Sequence, residues 1–251
     1  MTRKQMSYIR SMRQAKFRNI HNQFLAEGPK LVGEFINSDF KIATIYAIEE
    51  WLQENMNLIN SKEIHYEIVT EEELTSISRL KEPHNTLALI YQKEIPEELN
   101  VEGLTLALYA ISDPGNLGTI LRTADWFGIK NIFCSFRTVD VYNPKVVQAS
   151  MGSLSRLNVT YLDFEDLFAQ CNEVGIPIYG TILGEKSFYE VDLSPTGMIV
   201  IGNESTGIKE KYFKYFNEKI SIPAYNNSKM ESLNAAVATS IIVSEFRRKL
   251  A

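Results

Sequence analysis

Leu104-Thr105-Leu106-Ala107-Leu108-Tyr109-Ala110-Ile111 runs directly into Ser112-Asp113-Pro114-Gly115-Asn116-Leu117-Gly118-Thr119-Ile120-Leu121-Arg122-Thr123-Ala124. The first stretch is continuously apolar, as expected of a strand buried on both faces in a helix-covered parallel sheet. The second is a polar, glycine-bearing loop followed by a helical repeat that Gly128 stops. The same alternation recurs downstream. Residues 131–134, 158–161, 176–182, 198–201 and 219–222 read as strands, and residues 117–127, 144–150, 164–174, 208–216 and 233–249 as helices. This order predicts an α/β domain with a mostly parallel sheet.

Upstream, the tract 94–100 is polar and carries Pro96, which places a domain boundary between residues 97 and 98. Domain 1–97 reads as a smaller α/β unit. It begins with a basic helix at 7–17 and the short strand and turn Phe24-Leu25-Ala26-Glu27-Gly28. Strands at 42–48, 63–69 and 86–91 then alternate with helices at 30–37, 51–59 and 71–78, the last entered at Thr70 as its N-cap. Domain 98–251 holds the strand-and-helix alternation.

With 251 residues, 45% of them hydrophobic, the chain can bury a sizeable core and is not wholly disordered. The net charge of −5 argues against a uniformly basic nucleic-acid surface. Yet Arg3, Lys4, Arg10, Arg13, Lys16 and Arg18 precede the first acid, Glu27. Such a cluster reads equally as a solvated helix face or as a local phosphate contact, because screening limits charges to their neighbourhood. Cys134 and Cys171 are far apart and form no C-x-x-C, which points to a reducing compartment without a disulfide framework. No apolar run is long enough for a membrane span, and no apolar stretch follows the basic start as in a secretory signal. A cytoplasmic protein is expected.

Three glycine-bearing segments each follow an expected strand: Ser112 to Ala124, Ile201-Gly202-Asn203-Glu204-Ser205-Thr206-Gly207, and Ile222-Pro223 through Ser232-Leu233-Asn234. Ligands of open α/β sheets bind outside the carboxyl ends of the strands, so these loops are candidates for one common site. Taken singly, each has a plainer reading: Pro-Gly-Asn as a turn, the second as a strand-to-helix loop, and Ser232 and Asn234 as caps of the last helix, with Ser232 at its N-terminus. There is no G-x-G-x-x-G after a strand, no P-loop and no G-x-S-x-G elbow. His21, His65 and His84 are scattered without metal spacing, so no metal is expected.

In this order the segments resemble the SpoU/TrmH family of SPOUT methyltransferases. Asn116-x-Gly118-x-x-x-Arg122-x-Ala124 is similar to the family's first motif, Gly202-Asn203-Glu204-x-x-Gly207 to the second, and Ile222-Pro223 with Ser232-Leu233-Asn234 to the third. The stretch from Asn143 to Ser153 looks like the segment between motifs one and two. Phe24 to Val32 resembles the ribosomal-protein-L30e-like substrate domain found upstream in many members. The chain departs from the pattern where Ala224-Tyr225-Asn226-Asn227 replaces the usual Met-x-Gly, in a loop (224–231) that is also longer than usual. Ser205 and Gln148 also stand where glycine and arginine are common.

The resemblance implies a C-terminal SPOUT-type α/β domain with a deep trefoil knot, an N-terminal L30e-like domain, and a homodimer whose sites draw on both subunits. It implies an S-adenosylmethionine-dependent RNA 2′-O-ribose methyltransferase acting on structured RNA, ribosomal in preference to transfer RNA. A transfer-RNA enzyme, a non-catalytic RNA-binding member and a small-molecule methyltransferase are the other readings. By motif, Thr181, Gly202, Ile222 and Leu233 would hold the cofactor, while Asn116, Arg122, Glu204, Ser232 and Asn234 would form the catalytic region.

Overall fold

A computed structural model describes residues 1–80, 84–94, 99–225 and 230–248. Pro96 and most of the loop around Asn226 and Asn227 therefore lie outside the described residues, as does Lys249. The chain begins with helices α1 (Arg3–Ser11) and α2 (Ala15–His21), then β1 (Gln23–Glu27), α3 (Pro29–Ile36) and β2 (Ile42–Ala47). There follow α4 (Glu49–Ser61), β3 (Tyr66–Ile68), α5 (Glu71–Ile77) and β4 (Thr86–Tyr91). The second half comprises β5 (Leu104–Leu108), α6 (Pro114–Trp126), β6 (Asn131–Cys134), α7 (Pro144–Ala149), β7 (Asn158–Tyr161) and α8 (Phe164–Glu173). It ends with β8 (Ile178–Ser187), β9 (Gly197–Ile201), β10 (Glu218–Ser221) and α9 (Ala235–Arg248).

Two compact units result: Met1–Glu94 with Asp140–Arg156, and Ile95–Val139 with Leu157–Ala251. The single cut expected between residues 97 and 98 is thus incomplete, because Asp140–Arg156 belongs to the first unit. The cause is a set of long-range pairings. Asp140 accepts from the buried Arg18 guanidinium, the Tyr142 ring lies 4.7 Å from that of Phe24, and Arg156 pairs with Glu34.

In the first unit the sheet order is β1-β4-β2-β3, with β4 antiparallel to both neighbours and β2 parallel to β3. Thr70 caps α5 as expected, in a reciprocal box with Glu73. The basic helix expected at 7–17 is instead α1 and α2, broken at residues 12–14. Arg18 folds back across the break and donates to the carbonyls of Met12 at 2.9 Å and Arg13 at 3.0 Å, groups that a helix end leaves without partners. Arg10 and Arg13 likewise donate to carbonyls of Ser76, Ile77 and Ser78. Half of the basic cluster is therefore engaged within the chain, and Arg3, Lys4 and Lys16 are its exposed remainder.

The second unit is built on a six-stranded sheet in the order β10-β8-β9-β5-β6-β7, and every neighbouring pair is parallel. Strands β5 and β9 are buried throughout. Phe133, Phe164, Phe168, Met198 and Tyr212 form part of the core. The Gly180 backbone meets the Phe216 ring so closely that a Cβ there would lie 2.1 Å from a ring carbon. The helix expected at 208–216 is only a 3-10 turn at Glu210–Tyr215, and β8 runs on to Ser187 beyond the expected 176–182. Both cysteines are free and buried, and burial pushes the Cys171 thiol up to about 11. No helix among the described residues is long and apolar enough to cross a membrane.

Arg18 is 2% exposed while Asp140 keeps 30%. Replacing Arg18 by Met is expected to cost about 3 kcal/mol, since it strands a carboxylate and two helix-end carbonyls. Asp140→Ala, which leaves the buried guanidinium without its carboxylate, should cost at least as much. The midpoints of urea denaturation for the two variants check the order.

Candidate active site

The parallel sheet directs the carboxyl ends of β5, β8, β9 and β10 toward the loops that carry the glycine segments. On this side β10 pairs with Tyr179 and Gly180 of β8, then skips to Lys186 and Ser187. Residues 181–185 leave the register as a bulge, with Gly184 at φ +78°. Thr181 is held where the strands part, donating to the Val200 carbonyl at 2.8 Å, and Ser221 donates to the Glu185 carbonyl at 2.6 Å.

The bulge opens one side of a cavity of about 620 Å³. Its lining includes Thr181 from β8, Gly202 after β9, Ile222 after β10 and Leu233 before α9, together with Glu204 and Ser232. Ile182, Leu183, Ile208 and Phe213 add apolar walls, and Lys209 and Glu210 add charge. Six of the nine sequence-derived residues thus share one cavity. Asn116, Arg122 and Asn234 are not on its lining.

Asn116 and Asn234 reach the cavity through hydrogen bonds. The Asn234 amide donates to Asn116 Oδ1 at 2.8 Å, and the Asn116 amide donates to the Glu204 carboxylate. Ser232 Oγ donates to the Glu204 carbonyl at 3.3 Å. Each asparagine is also tied to the start of its own helix, Asn116 by its backbone and Asn234 by its side chain. The Asn116 N–H donates to Asp113 at the start of α6, and Asn234 Oδ1 accepts from the N–H groups of Ala236 and Val237 at the start of α9. Asn234, rather than Ser232, therefore caps the last helix. The Pro-Gly-Asn stretch is the first turn of α6, with Asp113 as N-cap and proline at the first helical position, not a free turn.

The second glycine segment folds on Asn203. Its Oδ1 accepts from Ser205 N at 2.9 Å and Thr206 N at 3.0 Å, and its amide donates to the Ala110 carbonyl at 2.9 Å. Gly202 is required here, because a Cβ would lie 2.8 Å from the Gly207 carbonyl carbon. Ala110 adopts φ +55°, uncommon for a side-chain-bearing residue, and Ser135 Oγ holds its N–H at 2.9 Å. Ala110, Asn203, Lys209 and Phe213 were not singled out by sequence reasoning. Asn203 lay within a motif, while the φ of Ala110 leaves no sequence signal.

Arg122 is exposed and makes no hydrogen bond or ion pair among the described residues. It sits on the outward side of α6 four residues before Trp126, which is 85% exposed. α6 packs beside α9, where Thr123 and Ser240 hydroxyls meet at 3.0 Å. Among the described residues no group of three or more His, Cys, Asp or Glu side chains is arranged to hold a metal ion.

A model of the SpoU rRNA methylase family matches residues 103–244, and one of the MRM3-like substrate binding domain matches residues 3–88. The chain belongs to the SpoU rRNA methylase family. It is 28% identical over 235 residues to the 23S rRNA (guanosine(2553)-2'-O)-methyltransferase RlmP of Bacillus subtilis (strain 168), covering 92% of this chain and 91% of that protein. A TrmH-family protein of Porphyromonas gingivalis has the same fold at TM-score 0.91 and 37% identity, over 99% of each chain. An AdoMet-bound rRNA methyltransferase of Sinorhizobium meliloti matches at TM-score 0.91 and 27% identity, over 100% of this chain and 97% of that one.

Because the Asn116 and Asn234 side chains share a hydrogen bond, truncating them is expected to be non-additive. A double-mutant cycle of Asn116→Ala and Asn234→Ala should return a coupling of about 1 kcal/mol in unfolding free energy. Additive losses would show that the amide–amide contact contributes nothing.

Proposed function

We propose that the protein is a cytoplasmic S-adenosylmethionine-dependent RNA 2′-O-ribose methyltransferase, acting on ribosomal RNA in preference to transfer RNA. The observation that carries this is the convergence of Thr181, Gly202, Ile222 and Leu233 on one cavity, with Glu204 joined to Asn116 and Asn234 at its edge. Membership of the SpoU family and the rRNA substrates named for the relatives support the choice of RNA.

The cavity fits the cofactor. Its volume of about 620 Å³ suits a molecule of that size, its walls are largely apolar, and Lys209, Glu204 and Glu210 suit a ligand bearing both charges. Thr181, Gly202, Ile222 and Leu233 would hold it. When bound, S-adenosylmethionine supplies an electrophilic methyl group on a sulfonium centre.

A ribose hydroxyl is a poor nucleophile and must shed its proton as its oxygen bonds to the methyl carbon. A guanidinium holds its proton at neutral pH and is a poor base. Arg122 is therefore assigned two tasks: holding an adjacent phosphate and stabilising negative charge as it develops on the 2′-oxygen. The proton passes to solvent as the oxygen takes the methyl group from the sulfonium sulfur, whose bond to that carbon breaks. Asn116, Glu204, Ser232 and Asn234 keep the loops around the reacting groups in register.

The proposal includes a homodimer. Arg122 projects from the face that carries exposed Trp126 and, on neighbouring α9, Val237 at 48% exposure. A second copy on this face would bury the apolar side chains and complete each cavity with the other's Arg122. The trefoil knot belongs to the same reading, supported by the out-of-order placement of β8, β9 and β10.

Arg122→Ala should bind S-adenosylmethionine as the wild type does by calorimetry yet methylate RNA at least ~100-fold more slowly. Gly202→Val should lose cofactor binding. If the sites are shared, re-dimerising equal amounts of the two variants should restore about a quarter of wild-type activity, through heterodimers with one intact site. Mapping ribose methylation in RNA from cells with and without the protein tests the substrate. Loss of one mark in ribosomal RNA is expected, and unchanged maps would overturn the assignment.

A further inference from the structure

The first unit holds a cavity of its own, about 170 Å³ in volume, where β1 turns into α3. We infer that it receives one unpaired nucleobase of the RNA substrate, with the neighbouring phosphate on Lys30; the inference rests on the methyltransferase reading above. The lining used here is Gly28, Lys30, Leu31, His84, Gln148 and Met151.

The walls are fixed by the fold. Gly28 adopts φ +102°, and a Cβ there would come within 3.0 Å of the His84 ring, so the imidazole lies against bare backbone. Glu27, which also lines the cavity, accepts from Ser78 Oγ at 2.6 Å and Arg79 N at 3.1 Å, which ties the segment after α5 to the rim. On the other side Met151 is held at φ +52°, a left-handed conformation uncommon for a residue with a side chain. The next residue, Gly152 at φ +96°, packs so tightly on Glu34 of α3 that a Cβ would lie 2.6 Å from its Cγ. The turn thereby keeps Met151, 46% exposed, at the cavity.

The chemistry of this lining selects the ligand. Pro29, Leu31 and Met151 offer apolar surface to a flat ring. The side chains of His84 and Gln148 make no hydrogen bond among the described residues, and together they present both donors and acceptors to a ring edge. Lys30 is exposed and makes no ion pair among the described residues, so its cation is free for a phosphate. The N–H groups of Lys30 and Leu31 face the same end of α3, where no side chain caps the helix. The volume is below the ~300–1,000 Å³ of pockets that enclose a whole small molecule. It suits a single ring system presented by a longer chain, the way single-stranded RNA offers a splayed base. Gly28, Lys30, Leu31 and His84 lie in the part of the chain that matches a substrate binding domain, and Gln148 and Met151 come from outside it.

Ultraviolet crosslinking of the full-length wild-type protein to deproteinised ribosomal RNA, followed by peptide mapping, reads the site without needing turnover. Nucleotide adducts are expected on the peptides that carry His84 and Met151. Lys30→Ala and Gln148→Ala, both at accessible positions, should each raise KM for RNA about tenfold while kcat and cofactor affinity hold. Unchanged KM in both variants, or adducts confined to peptides of the second unit, would overturn the inference. So would adducts on these peptides that form with free nucleoside monophosphates but not with RNA, which would assign the pocket to free nucleotides. Failure of the methyltransferase reading is seen separately, as a wild-type protein that binds no S-adenosylmethionine.

Discussion

The site depends on the hydrogen-bond chain from Asn234 through Asn116 to Glu204. Loops at the carboxyl ends of parallel strands have no ladder to hold them, so side-chain polar atoms must do so. Asn116 accepts on its oxygen and donates from its nitrogen, which fixes the sense of the amide. Asn234 uses its oxygen on the α9 N-terminus and its nitrogen on Asn116, which fixes the second amide in turn. An aspartate at either position would lose a donor, and a glutamine would change the reach. Glu204 and Ser232 line the cavity, so the cavity's shape is set by partners that do not themselves touch its interior.

This arrangement separates holding from reacting. The cavity combines apolar walls with charged groups at Glu204, Lys209 and Glu210, and Gly202 admits no side chain. The one cation assigned to the reaction, Arg122, stands outside it, on a helix face with an exposed tryptophan. A phosphate-binding guanidinium needs access to a polymer, whereas a methyl donor needs shelter from water, and one cavity cannot readily satisfy both. The same economy governs the basic N-terminus. Arg10, Arg13 and Arg18 serve the carbonyls of the first unit, so contacts to phosphates fall to the exposed cations that remain.

Much of this was legible because the pattern was redundant. β6 and β7 match their expected bounds, since short apolar runs between polar loops leave little freedom in a buried parallel sheet. Strand-end loops were expected to meet at one site, but the choice of Thr181, Gly202, Ile222 and Leu233 came from the resemblance to the family's motifs and not from spacing. The start of α6 was misplaced because Pro-Gly-Asn is a turn in most contexts, although Asp113 before Pro114 also has the form of a helix cap and first turn. Ser232 and Asn234 are equally good capping residues two positions apart, so the sequence leaves open which of them caps α9, and the structure selects Asn234. Register could not be read at all: the skip in β8 that opens the cavity comes from its pairing with β10.

The membership of Asp140–Arg156 in the first unit is the least legible feature and changes what that unit is. The substrate-domain match ends at residue 88, and the sequence places a boundary near residue 97. A fragment cut there would keep the four-stranded sheet but leave the Arg18 guanidinium, 2% exposed, without its carboxylate. It would also remove the Tyr142 ring from Phe24 and take Gln148 and Met151 from the small cavity. A buried cation without a partner costs more than an exposed salt bridge returns, so the segment is a structural part of the unit rather than an accessory to it. The segment between the first two methylase motifs thus supplies one wall of the substrate domain's own pocket.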